Sequence, residues 1–166
     1  MVAALPRVLT AHPSLREIHQ TGERDYEEVV AAYRKDVSAP PPDQIEVVPF
    51  LYDIPRAFRQ ADVIVSRSGT TTVAEITVSG KPAIFIPFPN AAQGHQERNA
   101  RVLERAGAAQ VIVDARLSGE VLAGAISALL ADPARLIEMG RCSKALGQAE
   151  AAEQVVAACR ELVGRA

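Results

Sequence analysis

Short apolar segments alternate along this chain with longer segments in which apolar residues recur at helical spacing. The short segments are bounded by glycine, proline or polar residues and are predicted as strands, whereas the longer ones are predicted as helices. The predicted strands cover residues 16–21, 45–51, 62–66, 83–87 and 111–113. The predicted helices cover residues 1–11, 25–37, 54–60, 70–79, 95–106, 118 to about 130, a segment that opens at 132–133, and 148–163.

Two of the predicted strands, 62–66 and 83–87, have apolar centres without alternation. This pattern is typical of parallel strands that are covered on both faces. The regular alternation of strands and helices therefore predicts an α/β fold with a Rossmann-like, mostly parallel sheet. Ligands bind such sheets at the carboxyl ends of the strands, so the functional residues are expected on the strand-to-helix turns. Residues 38–43, Ser-Ala-Pro-Pro-Pro-Asp, are predicted as a surface loop.

The first predicted element is a helix, although a doubly wound domain ordinarily begins with a central strand. We therefore expect either an unusual sheet or a chain that has lost its first strand. The length of 166 residues fits one domain, and the pattern contains no internal repeat.

Composition narrows the classes of function. The net charge is −2 and aromatic residues make up 4% of the chain, which disfavours nucleic-acid binding. No apolar run approaches the roughly 20 residues of a membrane span, and the first residues lack the apolar core of a signal peptide. Cys142 and Cys159 fall in predicted helices without metal-ligand spacing, so we expect reduced thiols.

The turn after the predicted strand 62–66 reads Ser-Arg-Ser-Gly-Thr-Thr-Thr over residues 66–72. The first N–H groups of a helix have no partner within it, and together with the helix dipole they can hold a phosphate. Gly69 lacks a Cβ atom, which would let a diphosphate approach closely. The spacing alone leaves open a structural alternative, in which Ser68 or Thr70 merely caps the helix.

Three further side chains have chemistry that suits a nucleotide sugar. Glu75 lies about a turn and a half into the same predicted helix, and a carboxylate can accept two hydrogen bonds from a ribose diol. Taken alone, it is more simply a solvated helix residue. His95 and Gln96 open the helix after the strand 83–87, where Gln96 offers both a donor and an acceptor for sugar hydroxyls. The three histidines have no metal-ligand spacing.

The stretches around these turns, taken together, resemble the MurG family. The resemblance is carried by residues 61–69 (ADVIVSRSG), 72–76 (TVAEI), 80–89 (GKPAIFIPFP), 95–100 (HQERNA) and 107–109 (GAA). The earlier stretches 19–22 (HQTG) and 48–51 (VPFL) also resemble this family. Members of this family transfer N-acetylglucosamine to the lipid-linked muramyl-pentapeptide precursor of peptidoglycan. They have the two-domain GT-B architecture, and this chain is similar only to the C-terminal half, which binds the donor UDP-N-acetylglucosamine.

The resemblance implies a site for this donor. Leu51 would contact the uracil through its backbone, with Ile54 nearby. Glu75 would hold the ribose hydroxyls, while His95 and Gln96 would face the sugar; some family members have two glutamines there. The diphosphate turn is implied to bind through Ser68, Gly69, Thr70, Thr71 and Thr72. Arg67 matches a family arginine and receives no ligand contact.

The implied reaction is inverting transfer to the 4-hydroxyl of lipid I, with no cofactor and no metal. The acceptor would bind through an N-terminal domain that we expect to be missing, together with the glycine-rich turn that opens the donor domain. That missing domain would also supply the base, so no catalytic residue is assigned here. We expect this chain alone to lack transferase activity and to fold only marginally. The full-length enzyme is expected in the cytoplasm, peripheral on the inner face of the plasma membrane.

Two alternatives remain open from the sequence. In the first, the chain is part of another GT-B transferase or of a UDP-sugar epimerase. In the second, it is a non-catalytic nucleotide-binding or interaction domain. Preference for UDP-N-acetylglucosamine over its 4-epimer would separate the first from the expected function. Saturable binding of UDP that depends on Glu75 would disfavour a pure interaction role.

Overall fold

The computed structural model describes residues 1–35 and 44–164, so the predicted loop 38–43 lies outside the described residues. Strands and helices alternate through most of the chain, as predicted, and the last three elements are helices. Two single turns of 3₁₀ helix, Ala92–Gly94 and Asp114–Arg116, precede α5 and α6. The elements are α1 Leu5–Ala11, β1 Glu17–Gln20, α2 Tyr26–Lys35, β2 Ile45–Val48, α3 Ile54–Gln60, β3 Ile64–Ser66, α4 Thr70–Ser79, β4 Ala83–Phe85, α5 His95–Arg105, β5 Ala109–Val111, α6 Gly119–Leu130, α7 Pro133–Leu146 and α8 Ala151–Val163.

Most helix boundaries follow the sequence signals, although α1 begins four residues later and α8 three residues later than predicted. Gly80 ends α4 in the left-handed region at φ 66°, as expected for a glycine after a helix. The Ser118 side chain accepts a hydrogen bond from the Val121 N–H at the start of α6. Asp132 does the same for the Arg135 N–H at the start of α7.

One predicted strand is displaced along the chain. The strand expected at residues 111–113 lies instead at Ala109–Val111, where it pairs with β4. Gly107 has a φ of 75° and lets the chain leave α5 directly into the sheet. Ala108 and Ala109 are buried against β4 and α5, so small side chains form the start of this strand. Because the apolar pattern gives more weight to Val111–Val113, it placed the strand two residues too late.

The described strands form two parallel sheets. One has the order β1-β2 and the other the order β3-β4-β5. In the larger sheet Ser66, Phe85 and Val111 are in register, so the three strands end at the same level. The turns that follow these strands therefore meet at one edge, which is where the sequence predicts the functional residues.

The core lies on both faces of β4. Ile84 and Ile86 pack with residues of α1, α6 and α7 on one face, whereas Ala83 and Phe85 pack with residues of α4 and α5 on the other. Side chains of successive strand residues point to opposite faces, so a strand that is apolar throughout must be covered twice. The prediction of a parallel strand buried on both faces is thus confirmed for β4.

Helix α8 differs from the others because all of its residues are exposed. Apolar residues are present on this helix, but no other described element covers them. Cys142 lies on α7 and Cys159 on α8, and no disulfide joins them. None of the described helices is both long and apolar enough to span a bilayer. The large hydrophobic residues exposed on α8 are Val155, Val156, Leu162 and Val163.

Candidate functional site

The turn between β3 and α4 leaves the first turn of the helix without a side-chain cap. Gly69 occupies the N-cap position with a φ of −63° and ψ of 151°, and no side chain accepts a hydrogen bond there. The structural alternative, in which Ser68 or Thr70 caps the helix, is therefore wrong. A Cβ atom added at Gly69 would meet nothing within 4 Å. Neither the backbone conformation nor the packing of this position requires glycine, and its bare surface leaves the helix N-terminus open to a ligand.

Ser68 lies inside this turn. Its side chain is fully buried, and its hydroxyl donates a hydrogen bond to the Gln96 carbonyl oxygen at 2.8 Å. The Asn99 side-chain amide donates to the Ser68 carbonyl oxygen at 3.2 Å. Together these bonds attach the turn to the first turns of α5. The structure therefore brings Ser68 to the sequence-predicted site, but with its hydroxyl directed into the protein.

The exposed side of α4 begins with the three threonines and continues to Glu75. Thr70, Thr71 and Glu75 are exposed, and Thr72 is half-buried. Residues three and four positions apart lie on the same face of a helix, so Glu75 stands one turn above Thr71 and Thr72. A carboxylate at that distance from the helix N-terminus can accept hydrogen bonds from a group attached to a bound phosphate.

His95 and Gln96 lie at the N-terminus of α5, after a loop in which Gln93 and Gly94 both have positive φ, 54° and 65°. The His95 Nδ1 atom lies 2.8 Å from the Ala92 carbonyl oxygen. A carbonyl only accepts, so Nδ1 carries the proton, and in the neutral ring Nε2 is an acceptor. The Gln96 Oε1 atom accepts a hydrogen bond from the Phe88 N–H at 2.9 Å, which leaves the Gln96 NH₂ group as a donor.

The Leu51 backbone lies just beyond the carboxyl end of β2. Its N–H donates to the Gln20 Oε1 atom at 3.1 Å, so within the protein only the Leu51 carbonyl remains for an added ligand. Ile54 is half-buried in the first turn of α3, where Asp53 caps the helix by accepting from the Arg56 N–H. Helix α3 packs on α4, which carries Glu75.

Arg67 and Asp114 connect all three strand ends of the larger sheet, and Asp114 has no place in the sequence-based site. The Arg67 Nη1 atom lies 3.1 Å from the Asp114 carboxylate and donates to the carbonyl oxygens of Ile86 and Pro87. The guanidinium also lies over the Phe88 ring, 5.6 Å from its centroid. A lone aspartate after a strand carries no motif, so only the three-dimensional structure reveals its partner.

A polar group lies away from these turns, on β1 and α2. Burial raises the pKa of Glu17 to about 7, and the N-terminal amino group opposes this shift. Burial lowers the pKa of His19, whose Nδ1 atom lies 3.1 Å from the Tyr33 hydroxyl. The Glu17 Oε2 atom is buried without a hydrogen-bond partner. Among the described residues, the hydrogen bond and the ring contact of His19 are made to Tyr33 and not to a candidate site residue.

Among residues 1–35 and 44–164, no group of three or more histidine, cysteine or acidic side chains is arranged to hold a metal ion. A cavity of about 380 Å³ lies at the amino end of β5, which is the opposite end of the sheet from the candidate site. It contains none of the sequence-predicted site residues, which lie instead near the carboxyl ends of the strands.

Comparison with known proteins identifies the family to which the chain belongs. The family described as "Glycosyltransferase family 28 C-terminal domain" matches residues 2–155. A relative in Geobacter metallireducens (strain ATCC 53774 / DSM 7210 / GS-15) is 46% identical over 156 residues, 94% of this chain and 42% of its own length. A relative in Anaeromyxobacter sp. (strain Fw109-5) is 43% identical over 165 residues, 99% of this chain and 42% of its own length. Both are named UDP-N-acetylglucosamine--N-acetylmuramyl-(pentapeptide) pyrophosphoryl-undecaprenol N-acetylglucosamine transferase.

Solved structures agree with the fold. The crystal structure of Acinetobacter baumannii MurG superimposes with a TM-score of 0.79 at 31% identity, over 95% of this chain and 44% of that one. The S. aureus MnaA-UDP structure has a TM-score of 0.74 at 16% identity, over 98% of this chain and 41% of that one, and shows likeness of fold alone. The chain thus spans less than half the length of each of these relatives and solved structures.

Proposed function

Since the chain belongs to the glycosyltransferase family 28 C-terminal domain family, we propose that it is a donor-binding domain for UDP-N-acetylglucosamine. The observation that carries this proposal is the uncapped N-terminus of α4 at Gly69, with Glu75 one turn further along the same exposed side. An anion at the first N–H groups and a diol at the carboxylate match a nucleoside diphosphate. The names of the relatives support N-acetylglucosamine as the sugar.

Each part of the donor is proposed to meet a different turn. The diphosphate would lie on Gly69 and the threonines of the first turn of α4, and the ribose hydroxyls would bind Glu75. The Gln96 NH₂ group and the His95 Nε2 atom would meet the sugar hydroxyls, one as a donor and the other as an acceptor. The uracil would lie near Leu51 and Ile54, where the Leu51 carbonyl can accept from a base N–H. Ser68 supports the turn through its buried hydroxyl and is not proposed to contact the ligand with its side chain.

In a complete enzyme we propose that this domain serves inverting transfer of N-acetylglucosamine to lipid I, which forms lipid II. The acceptor 4-hydroxyl would attack the anomeric carbon, and UDP would leave. Backbone N–H groups and the helix dipole at Gly69 would stabilise the negative charge that develops on the leaving diphosphate. No side chain of this chain is assigned as the base. The lipid-linked acceptor named for the relatives supports a location at the inner face of the bacterial plasma membrane.

Calorimetry on the 166-residue chain tests the donor assignment. We expect saturable binding of UDP, tighter binding of UDP-N-acetylglucosamine, and weaker binding of UDP-N-acetylgalactosamine, which differs only at the 4-hydroxyl. Equal affinity for the two epimers would favour a UDP-sugar epimerase or another transferase. If the folded chain bound neither UDP nor either sugar nucleotide, the proposed function would be wrong and an interaction domain would be favoured.

A further inference from the structure

Arg67 comes directly before the buried Ser68, yet its side chain leaves the turn and crosses to the neighbouring strands. Its Nη1 atom reaches the carbonyl oxygens of Ile86 and Pro87 at 3.1 Å each, beyond the end of β4. The Asp114 carboxylate, in the turn after β5, completes the contact at 3.1 Å. One guanidinium therefore fixes the exits of β3, β4 and β5 relative to one another.

The next link is Phe88. The Arg67 guanidinium lies over the Phe88 ring, and it also holds the two preceding carbonyl groups, so the Phe88 backbone is restrained from both sides. The Phe88 N–H in turn donates to the Gln96 Oε1 atom at 2.9 Å. This bond fixes which end of the Gln96 side chain is free, because the oxygen is occupied and the NH₂ group remains.

We propose that Arg67, held by Asp114, is a positioning residue that sets sugar selectivity by holding the Phe88 backbone in the geometry that orients Gln96. This inference rests on the proposed function and adds a residue pair to it. Arg67 and Asp114 would act on the donor only through Phe88 and Gln96, without contacting it themselves. Planarity matters here, since a guanidinium donates several hydrogen bonds in fixed directions and stacks on a ring through its plane, whereas a lysine ammonium is a compact charge on a flexible stem.

A second set of hydrogen bonds allows the effect on sugar preference to be separated from the effect on UDP affinity. Ser68 and Asn99 join the diphosphate turn to α5 by hydrogen bonds that do not involve Arg67. Loss of the Arg67 contacts therefore leaves the Gly69 turn and Glu75 in place, while the Gln96 side chain becomes free to rotate. Affinity for UDP should survive, and the preference between sugar epimers should fall.

The test compares Arg67→Lys and Asp114→Asn with two control variants, Arg141→Lys and Glu138→Gln. Arg141 and Glu138 form an ion pair on α7, outside the site, and both side chains are more exposed than those of Arg67 and Asp114. Calorimetry would give the Kd of UDP, UDP-N-acetylglucosamine and UDP-N-acetylgalactosamine for each folded variant, with a thermal melt to establish folding. We expect both site variants to keep the Kd of UDP within about twofold and to lose roughly 3–10-fold of the epimer preference, the worth of one hydrogen bond. The control variants should change neither.

A double-variant cycle distinguishes positioning from a general structural role. In a Gln96→Ala background, Arg67→Lys should have no further effect on the epimer preference, because the side chain that it orients is gone. An unchanged preference in both single variants, or a parallel loss of UDP affinity, would overturn the proposal while leaving the donor assignment intact. Failure of the unsubstituted chain to bind UDP-N-acetylglucosamine would overturn the proposed function and this inference together.

Discussion

The Ser68 hydroxyl donates to the Gln96 carbonyl oxygen across 2.8 Å, and this bond joins the turn before α4 to the first turn of α5. Ser68→Ala removes it at a fully buried position. We expect the free energy of unfolding to fall by about 0.5–1.5 kcal/mol, the usual net worth of one hydrogen bond. UDP should bind more weakly, because the turn that carries Gly69 loses one of its two attachments to α5. Urea denaturation and calorimetry would measure the two effects.

Ser79→Ala is the matched control, since Ser79 is exposed at the last position of α4. Ser79→Ala should change the free energy of unfolding and the affinity for UDP by much less than Ser68→Ala does. A Ser68→Ala variant with unchanged stability would mean that the bond contributes nothing to the turn.

Glu75 gives a prediction that depends on the chemistry of the ligand. Glu75→Ala should weaken UDP binding by at least about tenfold, because a hydrogen bond to a charged acceptor contributes roughly 1.5–3 kcal/mol. With a UDP analogue that lacks both ribose hydroxyls, the unsubstituted chain and the variant should bind alike. Calorimetry with both ligands would measure the difference, and Glu120→Ala on α6 is an exposed control. Full retention of UDP affinity in Glu75→Ala would remove Glu75 from the proposed ribose site.

The sequence was sufficient to predict much of this fold because its local signals agree with the tertiary packing. Helices α3 and α4 begin and end where the pattern predicts, and Gly80, Ser118 and Asp132 act at helix ends as expected. The displaced strand β5 shows the limit of the pattern. Small buried residues such as Ala109 carry little periodic signal, although they pack at the centre of the domain.

The location of the candidate site could be predicted from the sequence, but the hydrogen bonds between its side chains could not. The parallel topology brings the turns after β3 and β4 together, so the grouping of Gly69 with Gln96 follows from sequence. The direction of a side chain depends on distant partners. Ser68 turns inward because the Gln96 carbonyl lies behind it, and Asp114 gains its importance from Arg67, 47 residues earlier.

His95 is held by the Ala92 carbonyl, so Nδ1 is the donor and, in the neutral ring, Nε2 is an acceptor. His95→Phe keeps a planar ring but has no acceptor, and it should reduce the affinity for UDP-N-acetylglucosamine by roughly 3–10-fold. The affinity for UDP alone should remain unchanged, because the ring is proposed to meet only the sugar. His95→Gln supplies a carbonyl acceptor and should restore part of the loss. Equal effects on UDP and on the sugar nucleotide would contradict the sugar contact.

Substitution of two leucines compares the packed part of the domain with the exposed helix α8. Leu129 is fully buried in α6, whereas Leu162 is 70% exposed in α8. Leu129→Ala should lower the free energy of unfolding by about 2–5 kcal/mol, because it removes buried surface and leaves a cavity. Leu162→Ala should change it by less than about 0.5 kcal/mol. Urea denaturation of the two variants would measure both values, and a large loss in Leu162→Ala would show that α8 is packed in solution.

Glu17 gives a prediction about pH. Burial raises the pKa of its carboxyl from 4.5 to about 7, so between these values the folded chain binds more protons at Glu17 than the unfolded chain. Stability from this group is therefore present at low pH and is lost as the pH rises through 7. Glu17→Gln replaces the carboxyl with a neutral group of similar shape. Relative to the unsubstituted chain, this variant should be more stable at pH 8, by at most about 3 kcal/mol, and equally stable below the unfolded pKa.

The neighbouring groups do not obscure this difference. His19 has a pKa lowered by burial, so it reduces stability as the pH falls, but it does so in both proteins and cancels in the comparison. Burial and the Glu17 charge raise the pKa of Tyr33 above 10, which keeps it neutral over this range. Glu46→Gln, at an exposed position of β2, should show no such dependence. Urea denaturation of both proteins from pH 4 to pH 8 would measure the difference in their free energies of unfolding. A difference that does not change between pH 4 and pH 8 would mean that the carboxyl is hydrated in the folded chain.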